Sequence, residues 1–242
     1  VALYYHTVKN MKPSQVLNRL RIKMGKGCSL GISPSDKFTN VQKIESPESL
    51  DFDPVFIARF PLEELMEDRI TILHSSKDMN WKTTWVFDDK SALWNFNLHY
   101  FEYLLPLVKV WKGTGEKKYL DKTVEMITGW IDANPIGSNP AWASYTVALR
   151  IVTWISYYGY VSEALAEEFQ EKFLSSLHKQ YVYLSDHLEK DILGNHYFED
   201  LKSLVLAAIF FKDEAVLEKA LVDFKDECKE EILPDGMHFE LS

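Results

Sequence analysis

The feature that most constrains the fold is a helical periodicity that begins near Ser91 and continues almost to the end of the chain. Between Ser91 and Trp111, apolar residues recur at steps of three and four positions, which places them on one face of a helix. Five further segments show comparable patterns: 116–133, 140–158, 162–190, 197–211 and 213–231. Six helices joined by short turns predict three antiparallel hairpins, as in an α/α bundle, solenoid or toroid.

The chain before Ser91 lacks this regularity. Lys12-Pro13-Ser14 indicates the start of a basic amphipathic helix, which we expect to pack against its own domain. Residues 32–60 are rich in Ser, Pro and Asp and predict an extended wrap over the surface. Two short strands are predicted, at Arg69–Leu73 and at Trp85–Phe87.

These patterns predict two parts. Residues 1–90 form an irregular N-terminal wrap with one short helix and minor strands, and residues 91–242 form an all-α domain. A length of 242 residues and a hydrophobic content of 46% allow a sizeable core.

Charge and hydropathy exclude some classes of function. The chain has 27 Lys and Arg against 36 Asp and Glu, and this net charge of -9 argues against broad nucleic-acid binding. A stretch of about 18 apolar residues, the length that crosses a membrane, does not occur. Cys28 and Cys228 have no metal-ligand spacing and indicate no compartment. A secretory signal segment is absent, and because the chain opens on Val1 rather than Met, we expect that it has been trimmed and that a signal could have been removed with it.

The strongest candidate for chemistry is the turn Gly194-Asn195-His196, expected where two antiparallel helices meet. Gly194 can adopt the left-handed conformation that closes a helix, which leaves an amide and an imidazole side by side. The structural alternative is that Asn195 caps the following helix and His196 is an ordinary loop residue.

Two further polar residues interrupt apolar helical faces. Asn97 shares a face with Trp94 and Phe101, where an apolar residue is expected. Arg150 is aligned with Trp142 and Trp154. A buried or cleft-lining Arg needs a carboxylate or phosphate partner, and both a protein side chain and a ligand fit that requirement.

The C-terminal run from Leu233 has a Pro-Asp-Gly turn followed by alternating His238 and Glu240. It stops abruptly at Ser242, which suggests an expression or proteolytic boundary.

Four of these blocks occur in the same order in the N-terminal domain of heparinase II/III-type polysaccharide lyases, which this chain therefore resembles. The blocks are Leu93–Phe101, Asn134–Trp142 with Leu149–Ile151, Gly194–Tyr197 and Asp235–Ser242. The resemblance covers residues 90–242 well and the first ninety loosely. It implies an incomplete (α/α) toroid of antiparallel hairpins, followed by a β-sandwich domain that is missing from this chain.

The resemblance also implies a reaction, β-elimination at a uronic acid within an acidic polysaccharide. It implies catalytic roles for Asn195 and His196. The substrate contacts that it implies are Asn97, His99, Trp142, Arg150, His238 and Glu240. The family's catalytic Tyr would lie just beyond Ser242, so we expect this chain to be inactive or nearly so by itself.

The resemblance implies no cofactor in this portion, although a metal site in the β-sandwich domain would be consistent with the family. It also implies a periplasmic or secreted enzyme. The expected partners are an acidic polysaccharide and the β-sandwich domain of the same protein.

Two rival functions stay open. An α/α toroid glycoside hydrolase would need two carboxylates across a cleft, and Glu199, Asp200 and Glu240 are candidates without a convincing pair. A non-catalytic polysaccharide-binding helical domain would tolerate the loss of Asn195 and His196.

Overall fold

The computed structural model describes residues 12–23, 41–42 and 53–238. Helices dominate these ranges, so the predicted all-α class is confirmed. The first elements in chain order are α1 (Pro13–Lys23), α2 (Pro54–Ala58), α3 (Leu62–Met66), β1 (Arg69–Ile72) and β2 (Ser75–Asp78). α1 begins where the Lys12-Pro13-Ser14 signal predicts it.

The two strands form one antiparallel hairpin, with Arg69 opposite Asp78. β1 occupies the predicted position. The second predicted strand, at Trp85–Phe87, is wrong, because those residues form no strand and β1 pairs with β2 instead. The backbone of Phe87 instead bonds to a side chain. Its N–H donates to Asn95 Oδ1 at 2.8 Å, and its carbonyl accepts from Asn95 Nδ2 at 2.9 Å. A buried amide therefore satisfies the backbone groups that a neighbouring strand would otherwise pair.

The single helix predicted from Ser91 to Trp111 is two helices, α4 (Ala92–Leu98) and α5 (Leu104–Thr114). Phe101 lies between these two helices. Its backbone is left-handed, with φ 65°, and its ring is fully buried. Pro106 is the sequence signal for this break. Proline is tolerated in the first turn of α5 but would disrupt the interior of a continuous helix.

The remaining helices follow the predicted order. They are α6 (Lys117–Ala133), α7 (Ser144–Val161), α8 (Glu167–Asp186), α9 (Gly194–Phe211) and α10 (Glu214–Glu231). Three predicted boundaries are wrong by a full helical turn or more. The helix predicted to begin at Ser162 begins at Glu167, after a short 3-10 helix at Ser162–Ala164. Pro140 lies in the turn before α7, and α8 ends at Asp186, which leaves residues 187–193 as a connecting loop.

The helices form two layers. α5 contacts α7, and α7 contacts α9, while α6 contacts α8 in the second layer. Consecutive helices also touch across the layers, as the pairs α5 with α6, α7 with α8 and α9 with α10. This is the arrangement of an incomplete (α/α) toroid. Within the described ranges, no helix is both long enough and apolar enough to cross a bilayer.

The core between the layers is strongly aromatic. Trp130, Trp154 and Phe173 are buried there, and the rings of Trp154 and Phe173 stack with centroids 5.0 Å apart. The N-terminal part joins this core through Trp81. A Cβ on Gly129 of α6 would lie 1.9 Å from the Trp81 carbonyl oxygen, so only glycine permits this close approach.

Candidate functional site

Asn195 and His196 lie in the first turn of α9, not in a loop as the sequence predicts. Leu193 and Gly194 precede them with positive φ values of 61° and 62°. Gly194 is therefore left-handed as predicted, but it opens α9 and does not close the preceding helix. The Leu193 backbone, at φ 61° and ψ -161°, lies in a region that only glycine normally occupies. Such strain is typical of a segment that its surroundings hold in place.

Side chains from other elements hold this turn. The Gly194 N–H donates to the carboxylate of Glu227, which lies on α10. The buried Asp200 accepts the Glu189 N–H at 2.8 Å through Oδ2. From α1, Gln15 Nε2 donates to the Ile192 carbonyl oxygen at 3.0 Å. The loop 187–193 is thus anchored by α1, α9 and α10.

The His196 imidazole contacts a carboxylate and an aromatic ring. Its Nδ1 lies 3.1 Å from Glu189 Oε2, and its ring centroid lies 4.4 Å from that of Tyr145. The His196 side chain is 44% exposed, whereas Glu189 is 19% exposed. Because Glu189 accepts at Nδ1, the second ring nitrogen, Nε2, is the one available to a ligand.

Tyr145 is the site residue that sequence reasoning missed. It is the second residue of α7, and its hydroxyl is hydrogen-bonded by the Asn195 side chain. Burial and the nearby Glu199 carboxylate raise the pKa of Tyr145, and the Asn195 hydrogen bond partly opposes this. Its position beside an apolar helical stripe is typical of a core residue, so the sequence carried no separate signal.

Arg150 lies in the core, where no part of it is exposed. Its Nε donates to Gln180 Oε1 at 2.7 Å, and its Nη1 donates to the His99 carbonyl oxygen at 3.2 Å. The guanidinium carbon lies 4.0 Å from the centroid of the Trp130 ring. The partners are therefore an amide, a carbonyl and an aromatic face, in place of the expected carboxylate or phosphate. This position does not fit the predicted role as a cleft contact.

His99 and Trp142 are buried with Arg150. His99 Nδ1 accepts from Trp130 Nε1 at 2.9 Å, and Trp142 Nε1 donates to the Asn134 carbonyl oxygen at 3.1 Å. Burial, together with the neighbouring Arg150 charge, lowers the pKa of His99 to about 3. Both side chains contact protein and not an open surface, which corrects the expectation that they line a cleft.

Asn97 is half-buried and lines a cavity of about 550 Å³ together with Arg59, His74 and Glu102. Arg59 and Glu102 form an ion pair at 3.1 Å across this cavity. The Glu102 charge also acts on Tyr145, where it raises the pKa of the phenol. Tyr145, Asn195 and His196 are not among the residues that line this cavity.

His238 lies beside α9 and α10. Its Nε2 is 3.6 Å from Glu231 Oε2, and its ring packs edge-on against Phe198. The predicted Pro-Asp-Gly turn is present, with Gly236 at φ 86°. Glu240, the other predicted contact of this run, lies outside the described residues.

The structure thus brings Asn195, His196 and the unpredicted Tyr145 together, whereas Asn97 lines a cavity that includes none of these three residues. It places His99, Trp142 and Arg150 in the core. Among the described residues, no group of three His, Cys, Asp or Glu side chains could hold a metal ion.

Comparison with known proteins identifies the family. The family model described as heparinase II/III N-terminus matches residues 4–242. The chain belongs to this family.

Relatives of this heparinase II/III chain are lyases. A heparin-sulfate lyase of Pedobacter heparinus is 30% identical over 177 residues, which cover 69% of this chain and 26% of the relative. A heparin-sulfate lyase of Bacteroides thetaiotaomicron is 24% identical over 196 residues, or 76% of this chain and 28% of the relative. The chain therefore spans about a quarter of the length of these relatives.

Solved structures share the fold. A heparan sulfate lyase, HepC of Pedobacter heparinus, superposes with a TM-score of 0.63 at 23% identity, over 83% of this chain and 33% of that one. A structure of heparinase III gives 0.64 at 17% identity, over 96% of this chain and 40% of that one. At these identities the likeness concerns the fold alone.

The carboxylates that a hydrolase would need are poorly placed in this heparinase II/III chain. Asp200 is fully buried, and its Oδ2 is engaged by the Glu189 N–H. Glu199 is mostly buried and forms an ion pair with Lys202 on the same helix. A catalytic acid must reach the glycosidic oxygen. A pair built on Asp200 does not meet this requirement.

Proposed function

We propose that this chain supplies the Asn195 and His196 part of a polysaccharide lyase that cleaves uronic-acid-containing acidic polysaccharides by β-elimination. One observation carries the proposal. An amide and a partly exposed imidazole lie side by side in the first turn of α9, each held by a neighbouring side chain. The heparin-sulfate lyases among its relatives support the same substrate class.

The chemistry explains why such a pair is needed. The reaction removes the C5 proton of the uronic acid, forms the C4–C5 double bond and expels the oxygen at C4. The proton leaves from a carbon beside a carboxylate, so the transition state carries additional negative charge on the carboxylate oxygens. Asn195 can donate an N–H to that charge, as an oxyanion hole does. The N-terminal end of α9 contributes a favourable dipole.

His196 can serve this reaction in two ways. With Nδ1 bonded to Glu189, its Nε2 either donates to the substrate carboxylate or accepts the C5 proton. The family resemblance assigns the proton on the leaving oxygen to a Tyr that follows Ser242. We also propose that the sugar units beside the cleaved bond contact the Asn97 cavity and His238. Because polymeric polysaccharides are met outside the cytoplasm, we expect a periplasmic or secreted enzyme.

The test uses the full-length protein and a panel of uronic-acid polymers, including heparan-type chains, alginate and bacterial exopolysaccharides. A lyase creates an unsaturated sugar that absorbs in the near ultraviolet, and new reducing ends appear in equal number. New reducing ends without absorbance would indicate a hydrolase. Binding without either product would indicate a non-catalytic domain.

Variants assign the activity to the site. Asn195→Ala and His196→Ala should each abolish most of the absorbance change. Asn80→Ala is the control, because Asn80 is an exposed Asn whose side chain accepts from the Lys82 N–H in the N-terminal segment. Full activity in Asn195→Ala and His196→Ala would reject this site.

A further inference from the structure

Tyr145 contacts both members of the candidate catalytic pair. We propose that Tyr145 is a positioning residue, which orients the Asn195 amide through its hydroxyl and the His196 imidazole through its ring. The proposal rests on the function proposed above and adds a third residue to it. The two contacts use different parts of one side chain, so substitution can separate them.

The hydroxyl contact orients the amide. The Asn195 side-chain amide is hydrogen-bonded to the Tyr145 hydroxyl. An Asn amide carries two N–H groups. A hydrogen bond to Tyr145 fixes the rotation of the planar amide group, and this also fixes the direction of its other polar atoms. A donor that is already oriented needs no rearrangement as charge develops on the substrate.

The ring contact limits the rotation of the His196 imidazole. The Tyr145 and His196 rings lie 4.4 Å apart between centroids with 34° between their planes. Glu189 holds Nδ1 of the same imidazole at 3.1 Å. One contact acts on the ring face and the other acts at the ring edge, so together they restrict both side-chain rotations. Tyr145 is itself supported by Tyr100, whose ring packs edge-on at 6.2 Å.

A neutral phenol suits this role. Burial, and to a smaller extent the charges of Glu199, Glu189 and Glu102, raise the pKa of the Tyr145 hydroxyl. Tyr145 therefore remains protonated at neutral pH. It can accept a hydrogen bond from Asn195 without placing another negative charge beside the carboxylate of the substrate.

The test compares Tyr145→Phe with wild type in the full-length enzyme. Phenylalanine keeps the ring on His196 and removes only the bond to Asn195. We expect kcat to fall about tenfold, with KM little changed, because a residue that only orients a reacting side chain typically has an effect of about this size. Tyr158→Phe is the matched control, because the Tyr158 hydroxyl is similarly half-buried and bonds Gln170 at 2.8 Å. Tyr158→Phe should keep the wild-type kcat.

Combination with Asn195→Ala separates positioning from a general structural effect. If Tyr145 acts through Asn195, adding Tyr145→Phe to Asn195→Ala should lower kcat no further. A second loss of about the same factor in the double variant would overturn the proposal. So would a normal kcat in Tyr145→Phe while the wild type is active.

A crystal structure of the full-length Tyr145→Phe variant tests the same contact without relying on activity. We expect the Asn195 amide to rotate or to become disordered while the His196 ring stays in place. An amide that keeps its wild-type position contradicts the proposal, even if the wild type forms no unsaturated product. Lack of product in the wild type would reject only the proposed function.

Discussion

The Arg150 centre and the Asn195 turn are both polar interruptions of an aromatic helical domain, yet the structure treats them in opposite ways. Arg150 is enclosed by Gln180, His99 and Trp130, and none of it is exposed. The Asn195 turn has positive φ values, and its His196 side chain is 44% exposed. The first polar group therefore joins packed helices, and the second remains able to meet a ligand.

The comparison shows that a polar residue on an apolar face is not by itself evidence of a site. A buried guanidinium needs its hydrogen bonds whether or not a ligand exists. The Asn195 turn differs because residues of neighbouring helices and loops hold the Asn195 and His196 side chains where they remain partly exposed to solvent. The backbone strain at Leu193 also marks this turn and not the Arg150 centre.

The largest expected effect is on stability at the Arg150 centre. Arg150→Ala should lower the free energy of unfolding by about 3–5 kcal/mol, because it leaves a cavity beside Trp130 and removes the partner of Gln180. Urea unfolding of the full-length protein measures this. Arg59→Ala is the control, since the Arg59 side chain is 49% exposed and should cost far less. A stable Arg150→Ala protein with only a raised KM would restore Arg150 as a substrate contact.

The next largest effect is on catalysis at the Asn195 turn. Asn195→Ala should lower kcat by about 10²–10³, equivalent to roughly 3–4 kcal/mol, with little change in KM. The reason is that Asn195 acts on charge that appears only in the transition state. Steady-state kinetics of the full-length enzyme measure both constants. A raised KM with normal kcat would make Asn195 a binding contact only.

A smaller effect is expected from Gly194→Ala. Gly194 has φ 62°, and a side chain in this conformation costs about 1–2 kcal/mol. Gly113→Ala is the control, because Gly113 lies in α5 and a Cβ there meets nothing within 4 Å. Thermal unfolding should show Gly194→Ala less stable than wild type and Gly113→Ala equally or more stable. Equal stability of Gly194→Ala and wild type would contradict the left-handed turn.

A different kind of effect, a pH dependence, is expected at Glu227, which accepts the Gly194 N–H. Burial and the neighbouring Glu231 and Glu230 raise the pKa of Glu227 from 4.5 to about 7. Because the folded pKa is the higher one, the contribution of Glu227 to stability is complete below pH 4.5 and is lost as pH rises to about 7.

Glu227→Gln tests this pH dependence, because it keeps an acceptor for Gly194 and removes the titration. Unfolding measured at several pH values should show a smaller loss of stability between about pH 4.5 and 7 in the variant than in wild type. Parallel curves for the two proteins would exclude Glu227 as the group that titrates.

The sequence alone determined most of the helical architecture. Apolar residues spaced at three and four positions can be buried only on one face of a helix, so periodicity identified the order of α6 to α10. It also identified Gly194, Asn195 and His196, because a glycine beside polar residues between two apolar patterns marks a helix junction. It failed at Phe101 and at Trp85–Phe87, where buried contacts from distant residues set the backbone.

Tertiary structure alone decided which polar residues share a site. Tyr145 and Asn195 are fifty positions apart, and only the packing of α7 against α9 makes their hydrogen bond possible. Packing likewise buried Arg150 completely. Its place in the helical pattern was equally compatible with a position on the wall of a cleft. Periodicity states which face of a helix is apolar. It does not state which other helix covers that face, because that depends on contacts between residues far apart in the chain.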